Sequence, residues 1–264
     1  MPEPTAPPLL SVVIVAKNEA RNITDCVRSA SFAGEVLVLD SGSGDATAQL
    51  ARDAGARVVQ TADWPGYGPQ VARGFGLAGG AWVLSLDADE RITPELRAEI
   101  EVAIGDNAHA GYRIPRLSEF CGRFIHHAGW RPDYTLRLAR RELAGFTEHF
   151  LHARMTVQGS VGDLRAPLIH YSYPDLHDVL EKLDRYSSGH ARDLHARGRT
   201  SSLPRALAHG LWAFVRTYVL RAGFLDGGHG LMLAIYNAEY TYYKYLKLAF
   251  LHKPPVRPAV LGRR

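Results

Sequence analysis

Leu10–Ala16, read as LSVVIVA, is a near-continuous apolar run rich in β-branched residues, with no alternation of polar and apolar positions. That is the pattern of a strand buried on both faces of a parallel sheet. Outward from it the same beat repeats. The strand ends at Lys17-Asn18-Glu19, a helix is expected from about Arg21 to Ser31, and Glu35–Asp40 (EVLVLD) is a second buried strand ending in an acid. The turn Ser41-Gly42-Ser43-Gly44, a helix over Asp45–Ala54 and a short strand at Arg57–Gln60 follow. Such alternation predicts an α/β fold, a Rossmann-like doubly wound and mostly parallel sheet whose ligands gather at the carboxyl ends of its strands. Trp64–Pro69 reads as a loop, Gln70–Ala78 as a helix and Ala81–Leu86 as a further strand.

That last strand runs into Leu84-Ser85-Leu86-Asp87-Ala88-Asp89-Glu90, an apolar run that ends in three acids. Two carboxylates one residue apart at the end of a buried strand make a compact hard-oxygen site for a divalent cation with room for waters and phosphate oxygens. The alternative reading is a strand that ends in solvated acids. Glu19, Asp40, Asp87 and Asp89 all fall at carboxyl ends of predicted strands. A dinucleotide site would place Gly-x-Gly-x-x-Gly after the first strand, where Lys17-Asn18-Glu19 stands instead. No phosphate-loop lysine motif is present, and Gly66-x-Gly68 reads as turn chemistry.

At 264 residues, 46% hydrophobic and 22% charged, the chain can bury a full α/β core with an appendage. Cys26 and Cys121 have no Cys-x-x-Cys partner, so neither a disulfide framework nor a thiolate zinc site is expected and a reducing cytosol fits. Residues 1–8 lack the basic start and apolar middle of a signal peptide. Arg216, Arg221, Glu239 and Lys244 interrupt the most apolar regions, so no run reaches the roughly 18 residues of a membrane span. The net charge of +4 hides an asymmetry: residues 1–175 hold 17 Lys and Arg against 21 Asp and Glu, whereas 176–264 hold 14 against 6. Charge alone does not choose among nucleic acid, anionic lipid and acidic substrate as partners of the basic third.

A helix is expected from Thr93-Pro94-Glu95 to about Ile104, with Thr93 as cap and Pro94 at the first helical position. Between Gly111 and Ile169 the strand-like runs 112–115, 135–139 and 155–158 predict a smaller mixed-sheet region on the acceptor side. The pairs His126-His127 and His149 with His152 lack a third ligand, so zinc is not expected. The C-terminal third reads as three helices, over 174–197, 203–222 and 228–250. In the second, Leu203, Leu207, Leu211, Val215, Tyr218 and Ala222 form one stripe, a pattern that usually marks core. Trp212, Phe214, Arg216, Arg221, Tyr240, Lys244 and Lys247 at the edges suit an element lying on anionic lipid. Plain helical packing or a homo-oligomer surface is the alternative.

Val12–Thr47 (VVIVAKNEARNITDCVRSASFAGEVLVLDSGSGDAT) together with LSLDADE resembles the family-two inverting glycosyltransferases of the GT-A fold. Asp133–Arg141 (DYTLRLARR) and Gly162–Tyr173 (GDLRAPLIHYSY) narrow this toward the bacterial β-1,4-glucosyltransferases that act on the first heptose of the lipopolysaccharide inner core. The resemblance implies that Ala16, Lys17, Glu19 and Asp40 hold the uridine of a UDP-sugar, with Asp40 accepting from the uracil N–H. It implies that Asp87 and Asp89 bind Mg²⁺ or Mn²⁺ on the diphosphate. Gln70 and Arg73 either reach that diphosphate or lie on a solvated helix face. Asp133 and Arg137 are either a structural ion pair or acceptor and phosphate contacts, and His170 either fixes a loop or touches the acceptor.

An inverting transferase also needs a carboxylate to take the acceptor's hydroxyl proton. Members of the resembled family carry a His-Glu pair here, and the aligned residues are His152 and Ala153. Either Glu148 serves as the base, or position 153 carries a natural or deliberate replacement of the glutamate. The expected organisation is a nucleotide-sugar half at 9–105, an acceptor half at 106–173, helices over 174–252 and a basic tail at 253–264, after a flexible 1–8. The expected activity is metal-dependent transfer of a hexose, glucose first among candidates, from a UDP-sugar to a lipid-linked oligosaccharide or lipopolysaccharide core. The expected place is the cytoplasmic side, peripheral on the inner membrane face, with no nucleic-acid partner. A catalytically silent sugar-nucleotide binder of the same fold and a nucleotidyltransferase are the alternatives.

Overall fold

The computed structural model describes residues 9–106, 108–146 and 155–251. Two compact units divide them, one of residues up to Ser118 with 132–172, the other of 119–131 with 173 onward. The sequence reading had assigned 119–131 to the acceptor half. In the first unit the elements run β1 (Leu10–Ala16), α1 (Ile23–Ser29), β2 (Glu35–Asp40), α2 (Thr47–Asp53), β3 (Arg57–Gln60), α3 (Tyr67–Leu77), β4 (Trp82–Asp87), β5 (Glu90–Ile92) and α4 (Pro94–Asp106). Then come β6 (Gly111–Phe120), β7 (Arg123–Phe124), β8 (Tyr134–Arg140), β9 (Ala144–Phe146), β10 (Met155–Val157), β11 (Val161–Asp163) and β12 (Leu168–Tyr173). The last two residues of β6 and the whole of β7 belong to the second unit.

Among the described residues the main sheet has the order β3-β2-β1-β4-β8-β6-β12-β5. The first four strands are parallel, and β8 turns the sheet antiparallel beside β4. Successive residues of a strand face opposite sides, and here both sides are covered. Val12 and Ile14 pack into a layer with α1 and α4, whereas Val13 and Val15 pack with Leu37, Leu39, Val71 and Phe75 under α3. This double burial is why LSVVIVA shows no alternation. The approach of α3 depends on Gly74, where a Cβ would lie 2.3 Å from Val13 Cγ1. The cap of α4 is as expected, with the Leu96 N–H donating to Thr93 Oγ1 at 3.1 Å.

Two boundaries differ from the sequence reading in ways that matter for the site. Helix α3 starts at Tyr67, three residues early, because Gly66 takes φ 111° and lets the chain turn into the helix at once. Between Glu90 and α4 stands the unexpected strand β5, which pairs antiparallel with β12 and sets His170 opposite Glu90.

The second unit is built on α5 (Leu176–Ala196), α6 (Leu203–Val215) and α7 (Gly227–Leu251), with a π-helical turn at Arg216–Leu220 and a 3-10 turn at Gly223–Asp226 between the last two. Its core joins Phe120, Ile125, Val179, Leu183, Leu233 and Tyr236. Buried Asp226 accepts from the backbone N–H groups of His126 and His127 and pairs with the His127 ring. Burial alone would raise that carboxyl, but the imidazole and the two amides outweigh it and hold it below its ordinary value. The expectation of a core stripe on α6 is overturned. Leu203, Leu207 and Leu211 are exposed, and the buried residues are Ala206, Gly210 and Ala213. Small residues let α7 approach closely: a Cβ on Gly210 would sit 3.1 Å from Tyr242 Cβ. No helix among the described residues is long and apolar enough to cross a membrane.

Candidate active site

The loops that leave β1 and β2 are tied together at the carboxyl edge of the sheet. Asn18 takes φ 57°, its N–H donates to Ser43 Oγ and its Oδ1 accepts from the Gly44 N–H, each at 2.9 Å. The Glu19 N–H donates to Thr47 Oγ1 at 2.8 Å. Ala16 is buried and Lys17 exposed at the end of β1, while Asp40 is wholly buried at the end of β2. Asp40 accepts from the Ser43 N–H at 3.3 Å and from Gln60 Nε2 at 3.2 Å. Ala16, Lys17, Glu19 and Asp40 thus come together on one edge, braced by Asn18 and Ser43, whose part was not read from the sequence.

Gln70 is neither a solvated residue nor presented to that edge. Its side chain is fully buried and its amide donates to Ser41 Oγ, Thr61 Oγ1 and the Asp63 carbonyl. Arg73 forms a two-pronged pair with Asp63 at 2.9 and 3.0 Å. Both side chains are spent on holding the loop before α3.

At the end of β4 the acids are organised by one guanidinium. Strand β8 runs antiparallel to β4 with Leu138 opposite Leu84, which brings Arg137 alongside the acidic end. Arg137 Nη2 lies 2.6 Å from Asp87 Oδ2 and 2.8 Å from Glu90 Oε1. Glu90 Oε2 accepts from the Asp87 N–H at 2.9 Å, and the Tyr67 hydroxyl bonds Asp87 Oδ1. Burial works to raise the Asp87 carboxyl, but the Arg137 charge and these hydrogen bonds overcome it and hold it well below its ordinary range. Glu90 moves the other way, raised by burial and by the neighbouring Asp87 charge against the pull of Arg137. Asp133 does not pair with Arg137, as one reading of the sequence allowed. It pairs with Arg116 at 2.6 Å, and Arg137 belongs to the acidic end of β4.

Asp89 is placed differently. Its Oδ2 lies 3.4 Å from His170 Nε2, and the two side chains keep 23% and 16% of their surface open. His170 sits on β12, and its Nδ1 is 3.0 Å from Ser118 Oγ, which fixes the ring. The pair is therefore a carboxylate and an oriented imidazole side by side and accessible. Glu90, Tyr67, Arg116 and Ser118 escaped the sequence reading. Only Glu90 carried a signal, as the third acid of Asp-Ala-Asp-Glu; Tyr67 lay hidden in a glycine-proline loop and Ser118 inside an unremarked strand. Ala153, Glu148 and His152 lie outside the described residues. Among the described residues no three or more His, Cys, Asp or Glu side chains are arranged so that they alone could hold a metal ion.

The sheet, parallel with acids gathered at its carboxyl edge and antiparallel beyond β4, has a GT-A-like α/β fold. The chain belongs to glycosyl transferase family 2, whose family model matches residues 11–157. It is 28% identical over 255 residues to an uncharacterized glycosyltransferase of Rickettsia prowazekii, covering 92% of this chain and 86% of that one. It is 26% identical over 258 residues to the lipopolysaccharide core biosynthesis glycosyltransferase LpsC of Rhizobium meliloti, covering 95% and 96%. Among solved structures, S. aureus TarS 1-349 in complex with UDP-GlcNAc aligns over 92% of this chain and 91% of its own at 15% identity and a TM-score of 0.49.

Proposed function

We propose that this glycosyltransferase is an inverting, divalent-metal-dependent enzyme that moves a hexose, glucose first among candidates, from a UDP-sugar to a lipopolysaccharide-core acceptor at the inner face of the cytoplasmic membrane. The observation that carries the reading is the division of partners within Asp87-Ala88-Asp89: the two carboxylates are about equally open, but Asp87 is paired with Arg137 and Tyr67, while Asp89 stands, among the described residues, beside His170 alone. The near full-length likeness to LpsC supports the acceptor.

The donor set fits a cation such as Mn²⁺, which accepts both carboxylate and imidazole. Asp89 and His170 would hold it, with Ser118 steadying the ring from its far nitrogen in the manner of an outer-shell partner. This set exchanges the expected Asp87 for His170, because both oxygens of Asp87 are already paired with Arg137 and Tyr67. A bound cation offsets the charge that collects on the departing diphosphate. The chain's own groups do the rest. Asp40 and the tied loops after β1 and β2 seat the uracil, and Asp87 held by Arg137 fixes the edge against which the ribose and sugar lie; the acceptor's proton would go to Glu148 or to a glutamate restored at position 153, where this chain has alanine.

Incubating a panel of UDP-hexoses with Mn²⁺ and a lipopolysaccharide-core acceptor tests the reading. Slow but measurable transfer with inversion at the anomeric carbon is expected. Pyrophosphate release from UTP and a sugar phosphate would point to a nucleotidyltransferase, and UDP binding without any transfer, even after a glutamate is placed at 153, to a silent binder.

A further inference from the structure

Helix α6 is packed inside out for a water-soluble protein. Its small residues Ala206, Gly210 and Ala213 face inward, while Leu203, Leu207, Leu211 and Trp212 are 52, 55, 68 and 55% exposed. Close packing on small residues, with large apolar side chains turned outward, is how helices associate where the surroundings are hydrocarbon. The turns that follow continue the theme, with Val219 and Leu220 at 53 and 63% and Phe224 and Leu225 at 49 and 58% exposed. A monomer in water rarely leaves so much contiguous apolar surface uncovered.

Positive charge predominates around this surface, although Glu239 on α7 is exposed as well. Arg205, Arg216 and Arg221 are exposed, and the sole acid between Leu203 and Ala238 is Asp226, which is buried against His126 and His127. On α7, Lys244 lies over the rings of Tyr240 and Tyr245, and burial, with the nearby Arg216 adding to it, holds its ammonium below the ordinary range. A second copy of this surface would set arginine against arginine. A leaflet of anionic lipid would accept the leucines and the tryptophan into its acyl boundary and the arginines at its phosphates.

We infer that the exposed face of α6 and the two turns after it form a membrane-docking element that inserts shallowly into an anionic lipid surface without spanning it. The inference rests on the proposed function for the membrane location and the membrane-borne acceptor, and donor binding by the first unit is read separately.

Flotation with vesicles of mixed phosphatidylglycerol and phosphatidylcholine, and with pure phosphatidylcholine, tests it on the full chain. Binding is expected to the mixed vesicles, weakening as salt rises. Each of Arg205→Glu, Arg216→Glu and Arg221→Glu should weaken it about fivefold or more. Leu211→Asp with Trp212→Asp should weaken it more than about tenfold, since each side chain loses its apolar burial. Fluorescence of the unaltered chain should be quenched by brominated phosphatidylglycerol, an arm that needs no variant to fold. UDP affinity measured on the same proteins should not move. Equal binding to neutral and anionic vesicles, absence of both binding and quenching, or a dimer in solution that Leu211→Asp with Trp212→Asp dissociates would each overturn the inference, the last in favour of a second copy.

Discussion

Ala153→Glu raises the rate of sugar transfer by about 10²- to 10⁴-fold, the usual contribution of a positioned general base, and leaves UDP affinity nearly unchanged. The expectation rests on the sequence around the position, His152 before it and Arg154 after it, at the spacing where the resembled family keeps a His-Glu pair. Donor affinity stays because the groups proposed to hold it, Asp40 at the end of β2, Asp89 between β4 and β5 and His170 within β12, do not belong to this segment. Single-turnover measurements on the chain, Ala153→Glu and Glu148→Gln decide between the two candidate bases. If Glu148 is the base, the chain is already fast, the new glutamate adds nothing and Glu148→Gln abolishes transfer.

Arg137→Met destabilises the first unit by about 3 kcal/mol or more, because removing one member of a buried ion cluster leaves the others uncompensated. Arg137 is 5% exposed and Glu90 wholly buried, so water cannot take the arginine's place. The loss also gains a pH dependence of defined sign. With Arg137 gone, the strongest group opposing the burial that raises the Glu90 carboxyl is lost and only the Asp87 N–H, with Arg116 at 3.8 Å, still works against it, so the folded form holds its proton more tightly than the unfolded chain does. Stability of the variant is then greatest below the ordinary carboxyl value of 4.5 and falls as pH rises toward neutrality. Urea unfolding across that range measures it, and adding Glu90→Gln should remove most of the slope. A midpoint unchanged from the parent at neutral pH would show that the cluster is not held as described.

The parallel half of the sheet was readable because double burial writes itself as uninterrupted apolar runs, and each run stopped where its strand meets the ligand edge. Asp40, Asp87 and Asp89 were visible for that reason. What was not readable was pairing across long separations. Arg137 reaches Asp87 from fifty positions away, and His170 reaches Asp89 only because β5 and β12 pair, which no local pattern in Glu90-Arg91-Ile92 announces. The arginine and aspartate of DYTLRLARR look like partners in sequence, yet four residues of extended chain set them about 13 Å apart, so Asp133, just before β8, meets Arg116 and Arg137, within β8, meets the acids of β4. Helix α6 misled for the opposite reason. An apolar stripe at helical spacing signals a buried face only when water is the surrounding solvent, and there the small residues on the other face are the ones that pack.

The central claim is that Asp89 and His170, not Asp87, give this enzyme its cation-dependent grip on a uridine diphosphate. Titration calorimetry of UDP with and without Mn²⁺, on the chain, on Asp89→Asn and on Asp87→Asn, tests it most directly. The account predicts that Mn²⁺ tightens UDP binding to the chain at least about tenfold, roughly 1.4 kcal/mol. It predicts that Asp89→Asn abolishes this gain while Asp87→Asn keeps part of it. UDP affinity that is the same with and without Mn²⁺ in all three proteins would contradict it.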